Sequence, residues 1–434
     1  MAAAAAVSCV AFPGAVAVAA VPSYGFAGDA RSVTAATGTG DAERLTPGTV
    51  YRSSFTGREK AFYRLELDDA STAYVSVTAV PRSGAALGSG DGIKVSVQNA
   101  DGVRCSSDSV TVGASRSPRP LTAWGAREIR AGKQLCQEAG TYYVVVQRSG
   151  SDGDSDRPWE LELAPAGEPP LEKAGPTDAP GTGTPATPAP FAGEAVTRRG
   201  GEGFAGATAL RQGVWRDDIT PGQTLFYKVP VGWGQQLSAT VDLDSAEKDT
   251  GFVVPALEMT LHNPVRAEVV DTDIGYGGRQ TSASLAPLPP VRYANRYAPA
   301  GPAGNLRFAG SYYLVLHLSA RVADRFGDGP YGVKLRIRVD GAVESGPGYA
   351  GQPQPRGVFD ADTTGGQAVT GGEVSGGGGS GTGATGGGGT AMKAVAAGGI
   401  GTGSALLLVL GVWTVTARRR AAAQMRASAQ NPTA

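Results

Sequence analysis

Two stretches of this chain repeat each other, and that repeat limits the possible folds more than any other feature. In the first, Val50-Tyr51-Arg52 precedes Phe62-Tyr63-Arg64-Leu65; in the second, Val214-Trp215-Arg216 precedes Phe226-Tyr227-Lys228-Val229 at the same spacing. Val95-Ser96-Val97-Gln98-Asn99 matches Met259-Thr260-Leu261-His262-Asn263. Gly140-Thr141-Tyr142-Tyr143-Val144 matches Gly310-Ser311-Tyr312-Tyr313-Leu314, and Pro158-Trp159-Glu160-Leu161 matches Pro330-Tyr331-Gly332-Val333. The apolar period in these segments is two: Ala73–Ala79 and Leu335–Val339 alternate as half-buried strands do. Short alternating runs parted by Gly, Pro and Asp turns, with no useful helical period, predict an all-β chain of two sandwiches in tandem, 41–163 and 204–340. Each block is long enough for its own core.

The order of these segments resembles that of the bacterial pre-peptidase C-terminal domain. The resemblance covers both blocks and implies jelly-roll-like sandwiches that serve as non-catalytic accessory or binding modules. Such domains sit beside secreted proteases and in other exported proteins, so the resemblance implies no protease activity. The second block departs from the pattern through Ala267–Leu306, rich in Pro, Arg and Tyr. It is expected to be an inserted recognition loop, because loops on rigid scaffolds commonly carry binding.

Outside the blocks the composition changes. Residues 164–203 are dense in Pro, Thr and Ala, the composition of an extended linker, and 345–390 end in GGGGSGTGATGGGG, that of a flexible stalk. Neither carries enough apolar surface to fold, so the two blocks are expected to fold independently. Residues 1–27 fit a signal peptide: Ala2–Ala20 is an Ala/Val run, and Gly25-Phe26-Ala27 offers a small-x-small cleavage pattern. No Lys or Arg precedes that run, which leaves the α-amino group or an upstream start as its positive end. Ala394–Ala417 carries no charge and spans about 36 Å as a helix, against about 30 Å of hydrocarbon. Arg418, Arg419 and Arg420 place the tail 418–434 in the cytoplasm. The expected protein is single-pass in the cell membrane, with everything upstream displayed outside. Its Ala, Gly and Arg usage resembles that of a high-GC actinobacterium.

Lys and Arg total 39, and so do Asp and Glu, so no net charge favours nucleic acid. Cys105 and Cys136 lie beyond the leader, and one such pair in an exported chain is expected to form a disulfide. His262 and His317 align with Gln98 and Gln147 of the sister block. Positions that accept a neutral polar residue are expected to be exposed strand sites rather than a general base. Without HExxH, or G-x-S-x-G paired to a histidine, enzyme activity is not expected. Asp152, Asp154 and Asp156 alternate near Glu160 and offer oxygens for Ca²⁺, but Arg157 stands where a calcium loop needs glycine. A solvated hairpin loop is the expectation there, and no other cofactor is implied. Trp124, Tyr276, Tyr293 and Tyr297 fall outside the repeat and are the aromatics expected on a contact surface. The expected function is binding or scaffolding at the cell envelope, toward a wall polymer or another envelope protein. The alternative is a non-catalytic accessory subunit of a secreted protease or other hydrolase.

Overall fold

The computed structural model describes residues 24–57, 60–150, 157–175, 177–181, 189, 191–247, 251–299 and 301–361. Asp152, Asp154, Asp156, the run 394–417 with Arg418, Arg419 and Arg420, and residues 1–23 lie outside the described residues. No helix among the described residues is long and apolar enough to cross a membrane.

The regular structure of the described residues is almost wholly β. Its first block comprises β1 Arg31–Ser32, β2 Tyr51–Phe55, β3 Lys60–Leu67, β4 Thr72–Val80, β5 Gly92–Asn99, β6 Arg104–Thr111, β7 Leu121–Arg127, β8 Gly140–Ser149 and β9 Trp159–Glu168. The second comprises β10 Ala195–Thr197, β11 Thr208–Ala209, β12 Gly213–Ile219, β13 Thr224–Val231, β14 Gln236–Leu243, β15 Val253–His262, β16 Glu268–Tyr276, β17 Thr281–Ser284, β18 Gly310–Leu318 and β19 Tyr331–Asp340. Sheets β2-β9-β4-β7 and β3-β8-β5-β6 face each other in the first block, β12-β19-β14-β17 and β13-β18-β15-β16 in the second. From β2 to β9 and from β12 to β19, successive strands cross between facing sheets except at the β5–β6 and β15–β16 hairpins, which is the winding of a jelly roll. The pairing register is shared as well. Tyr51 faces Leu163 as Trp215 faces Leu335, Phe62 faces Val145 as Phe226 faces Val315, and Val97 faces Val144 as Leu261 faces Leu314. Inward positions such as Tyr63, Val77, Val95 and Trp159, with Tyr227, Val241, Met259 and Tyr331, fill the two cores. Each such side chain contributes about 1.5–3 kcal/mol by leaving water.

Cys105 and Cys136 form the expected disulfide, their Cα atoms 5.7 Å apart. Ala267–Leu306, in contrast, is not an inserted loop. It holds β16, paired with β15, and β17, paired with β14, the counterparts of β6 and β7. These are edge strands with few inward apolar residues, so they repeat in position without repeating in sequence. The extra chain is confined to two 3-10 turns, Tyr293–Tyr297 and Pro302–Asn305, and the segments beside them.

The expected linker and stalk are also partly folded. β9 runs on to Glu168, and β10 lies parallel to β12. Beyond β19, Tyr349 bridges to Leu171, Gln354 bridges to Gly167, and Phe359 stacks on Phe308 at 4.7 Å. At the other end, Tyr24 and Ala27 are buried. Composition argued against order here, but these segments are held by contacts from both blocks.

The two sandwiches share a seam. β4 is buried on both faces, including outward-pointing Tyr74, Ser76 and Thr78. Tyr74, Ala126 and Ala166 of the first sandwich form one apolar cluster with Val265, Ala267 and Phe308 of the second. Tyr24, Phe204 and Phe226 form another. Either sandwich alone would expose these surfaces, so the two blocks pack against each other rather than standing apart on an extended linker.

Candidate functional site

Three arginines of the second sandwich reach carboxylates of the first. Glu162 and Glu168 occupy outward positions of β9, an even number of residues apart and therefore on one face. Glu128 follows β7. Arg266, at the β15–β16 turn, donates from Nη1 to Glu162 Oε1 at 2.6 Å, and the Tyr24 hydroxyl donates to the same oxygen at 2.8 Å. The Ala27 N–H donates to Glu162 Oε2 at 2.9 Å. Arg296 grips Glu168 through Nη2 to Oε1 at 2.7 Å and Nη1 to Oε2 at 3.3 Å. Tyr74 and Tyr349 add hydroxyl donors to Glu168 at 2.8 and 3.0 Å. Arg307 meets Glu128 at 2.7 Å. Glu162 is 0% and Glu168 1% exposed. Burial alone pulls the Arg266 and Arg307 guanidiniums down, yet the neighbouring oxygens of Tyr24 with Glu162, and of Tyr74 with Glu128, outweigh it and raise both. Burial raises the Tyr24, Tyr74 and Tyr349 hydroxyls, so they remain proton donors. What looked like an outward recognition loop thus docks the protein's own first sandwich.

The histidines lie on the covered face of sheet β13-β18-β15-β16. His262 is 5% and His317 2% exposed, whereas the sister residues Gln98 and Gln147 are half-buried and exposed. The expectation of exposed strand sites is therefore corrected: the sister sheet is not covered in this way. Burial lowers His262 to about 4, and burial with the nearby Arg119 charge lowers His317 to about 3, so both are neutral. His317 Nε2 lies 2.8 Å from Ser117 Oγ, the spacing of a nucleophile and its base. Ser117 is 1% exposed, however, and its Oγ also accepts from the Ala320 N–H at 2.9 Å. His317 Nδ1 faces the Thr224 hydroxyl at 3.0 Å rather than a carboxylate. A buried serine without an orienting acid is a seam contact, not a triad.

An open surface lies at the far end of β13. Between Val231 and Gln236 the chain turns through Gly232-Trp233-Gly234-Gln235, with Gln235 Oε1 accepting from the Gly232 N–H at 2.8 Å. Gly234 takes φ +78°, which glycine adopts without strain. Trp233 stands at the tip. Its carbonyl accepts from the Glu344 N–H at 2.8 Å, and Gly346 passes so close to the indole that no Cβ would fit. Cavities of about 540 and 450 Å³ flank the ring. The first is lined by Trp233, Tyr293, Glu172, Lys173, Arg292 and Glu344. The second brings Gln235, Val229 and Phe359 to the other side of the same indole. The guanidinium of Arg296 lies 3.4 Å from the centre of the Tyr293 ring, and burial raises that tyrosine's hydroxyl to about 12. Arg296 thereby joins the trough to the seam.

Of the aromatics expected on a contact surface, Tyr293 lines the trough and Tyr297 is half-buried beneath Arg130. Trp124 faces the seam, with the Arg307 guanidinium 5.7 Å from its ring centre. Tyr276 occupies an inward position of β16 and is fully buried, its hydroxyl donating to the Asp244 carbonyl at 2.7 Å. Tyr276 is therefore not a surface contact, whereas Trp124, half-buried, packs on the apolar cluster of the seam. Trp233 escaped the sequence analysis, although a tryptophan between two glycines, set between alternating strands, marks an aromatic at the tip of a turn.

No protein-family model matches the chain, and no curated protein matches it. Among solved structures it is similar to the CUB1-EGF-CUB2 domain of human MASP-1/3, at 8% identity over 67% of this chain and 98% of that one, with a TM-score of 0.16. It is similar to the tandem CBM22-1–CBM22-2 domain of Paenibacillus barcinonensis Xyn10C at 9% identity, over 67% and 86%, with a TM-score of 0.17. It is also similar to an f-lectin from the serum of striped bass (Morone saxatilis) at 10% identity, over 68% and 86%, with a TM-score of 0.16. At such scores the likenesses carry no functional argument.

Proposed function

We propose that this chain is an exported, single-pass membrane protein whose two sandwiches form one non-catalytic head, with the trough round Trp233 as its contact surface for a cell-envelope polymer. The observation that carries the proposal is the trough. It sets a half-buried indole and a tyrosine among two acidic and two basic side chains, with volumes in the range of ligand sites. A polyhydroxylated chain suits that lining, because its C–H faces can lie on the rings while its hydroxyls reach Glu172, Lys173, Arg292 and Glu344. The non-catalytic part is supported by the burial of both histidines. Export and anchoring rest on the sequence of residues 1–23 and 394–420, and on the resemblance to pre-peptidase C-terminal modules.

The test is co-sedimentation of the detergent-solubilised chain with purified envelope polymer. Trp233→Ala is expected to weaken capture at least tenfold, about 1.4 kcal/mol, in a chain that still melts cooperatively. Undiminished capture would remove the trough from the proposal. Hydrolysis of the polymer would refute the non-catalytic head.

A further inference from the structure

We infer that Tyr24–Ala27 is a clasp between the two sandwiches that the mature protein retains, and that the maturation cut lies N-terminal to Tyr24. The location of the cut rests on the reading of the chain as exported; the clasp does not. Gly25-Phe26-Ala27 has the residue pattern of a cleavage site, and a cut there would release the product at Gly28. The peptidase meets an unfolded chain, so burial does not protect these residues from it. What argues against that cut is the product it leaves.

Tyr24 is 6% exposed, its ring edge-on to Phe226 of the second sandwich at 5.7 Å. The Gly25 N–H donates to the Glu202 carbonyl at 2.9 Å, and Gly203 lies against the Gly25 carbonyl with no room for a Cβ. Toward the first sandwich, Phe26 lies beneath the Arg52 guanidinium at 4.3 Å, and both Tyr24 and Ala27 donate to Glu162. Beyond the clasp the chain runs straight into β1, parallel to β2. Removing 1–27 would strip the fully buried Glu162 of the Tyr24 and Ala27 donors and open the apolar cluster of Phe204 and Phe226. Glu162 would keep Arg266 alone, and a buried carboxylate left short of donors carries a desolvation cost. Upstream, Ala15-Val16-Ala17 and Ala17-Val18-Ala19 provide small-x-small patterns whose use leaves Tyr24–Ala27 intact.

Two measurements decide the matter. N-terminal sequencing and intact mass of the full chain recovered from the cell exterior are expected to place the first residue at or before Tyr24, downstream of Met1. A product beginning at Gly28 or later would overturn the inference. Thermal melts of the detergent-solubilised chain are expected to fall by roughly 4–7 °C in Tyr24→Ala and by less, in the same direction, in Tyr24→Phe. Unchanged melts in both variants would overturn the clasp. Recovery only from the cytoplasm with Met1 retained would overturn export and the cut together, while the Tyr24 melts would still decide the clasp.

Discussion

Replacing Glu168 by glutamine tests whether the seam makes two sandwiches into one folding unit. The carboxylate is 1% exposed and accepts four hydrogen bonds, two from Arg296 and one each from Tyr74 and Tyr349. Glutamine keeps the shape but removes the charge, and its amide turns an NH₂ toward donors. Arg296, 7% exposed, is then a buried cation facing a neutral group. Breaking one side of such a pair costs about 3–5 kcal/mol. Unfolding entropy is about 2.1 cal/mol/K per residue, so a unit of roughly 340 residues would lose about 4–7 °C, whereas a lone sandwich of roughly 130 would lose about 11–18 °C. The size of the shift therefore reports the size of the cooperative unit. Urea and thermal melts followed by near-ultraviolet circular dichroism at pH 7 supply the free energies. Adding Arg296→Met removes the orphaned cation, so the double variant is expected to recover about 2–3 kcal/mol relative to the sum of the single changes. Additive single effects, each below about 1 kcal/mol, would refute the seam as a structural weld.

The histidines give the head an acid limit. His262 falls from an ordinary 6.5 to about 4 on burial, so its stabilising share is complete above pH 6.5 and is lost as pH falls toward 4, about 3 kcal/mol in all. His262→Gln should flatten the dependence of the urea midpoint on pH between 7 and 4.5, and an unchanged slope would contradict the buried neutral imidazole. Deleting Ala267–Leu306 is expected to abolish folding, because it removes β16, β17 and Arg296 together. A soluble deletion variant with a cooperative melt would refute the placement of that segment within the sheets.

The repeat was legible because cross-strand register follows from alternation within each strand, which is a local property. The residues that align Val97 with Leu261, and Val144 with Leu314, are the ones that face each other in space. Alternation does not record what covers the outward face. Ala73–Ala79 and Leu335–Val339 share the same period, yet β4 is buried on both sides and β19 on one. His262 and Gln98 differ for the same reason. β16 and β17 read as an insertion because edge strands carry little of the apolar pattern by which a repeat is detected. The trough is less legible still: Trp233, Tyr293, Lys173 and Glu344 stand far apart in the chain and converge only through the docked 3-10 turn Tyr293–Tyr297 and the segment that follows β19. Local sequence determined which side of each strand turns inward, through the two-residue period of extended backbone. Tertiary structure decided which outward faces are sealed, because the Glu162–Arg266 and Glu168–Arg296 pairs join residues more than a hundred positions apart, and no local period encodes their meeting.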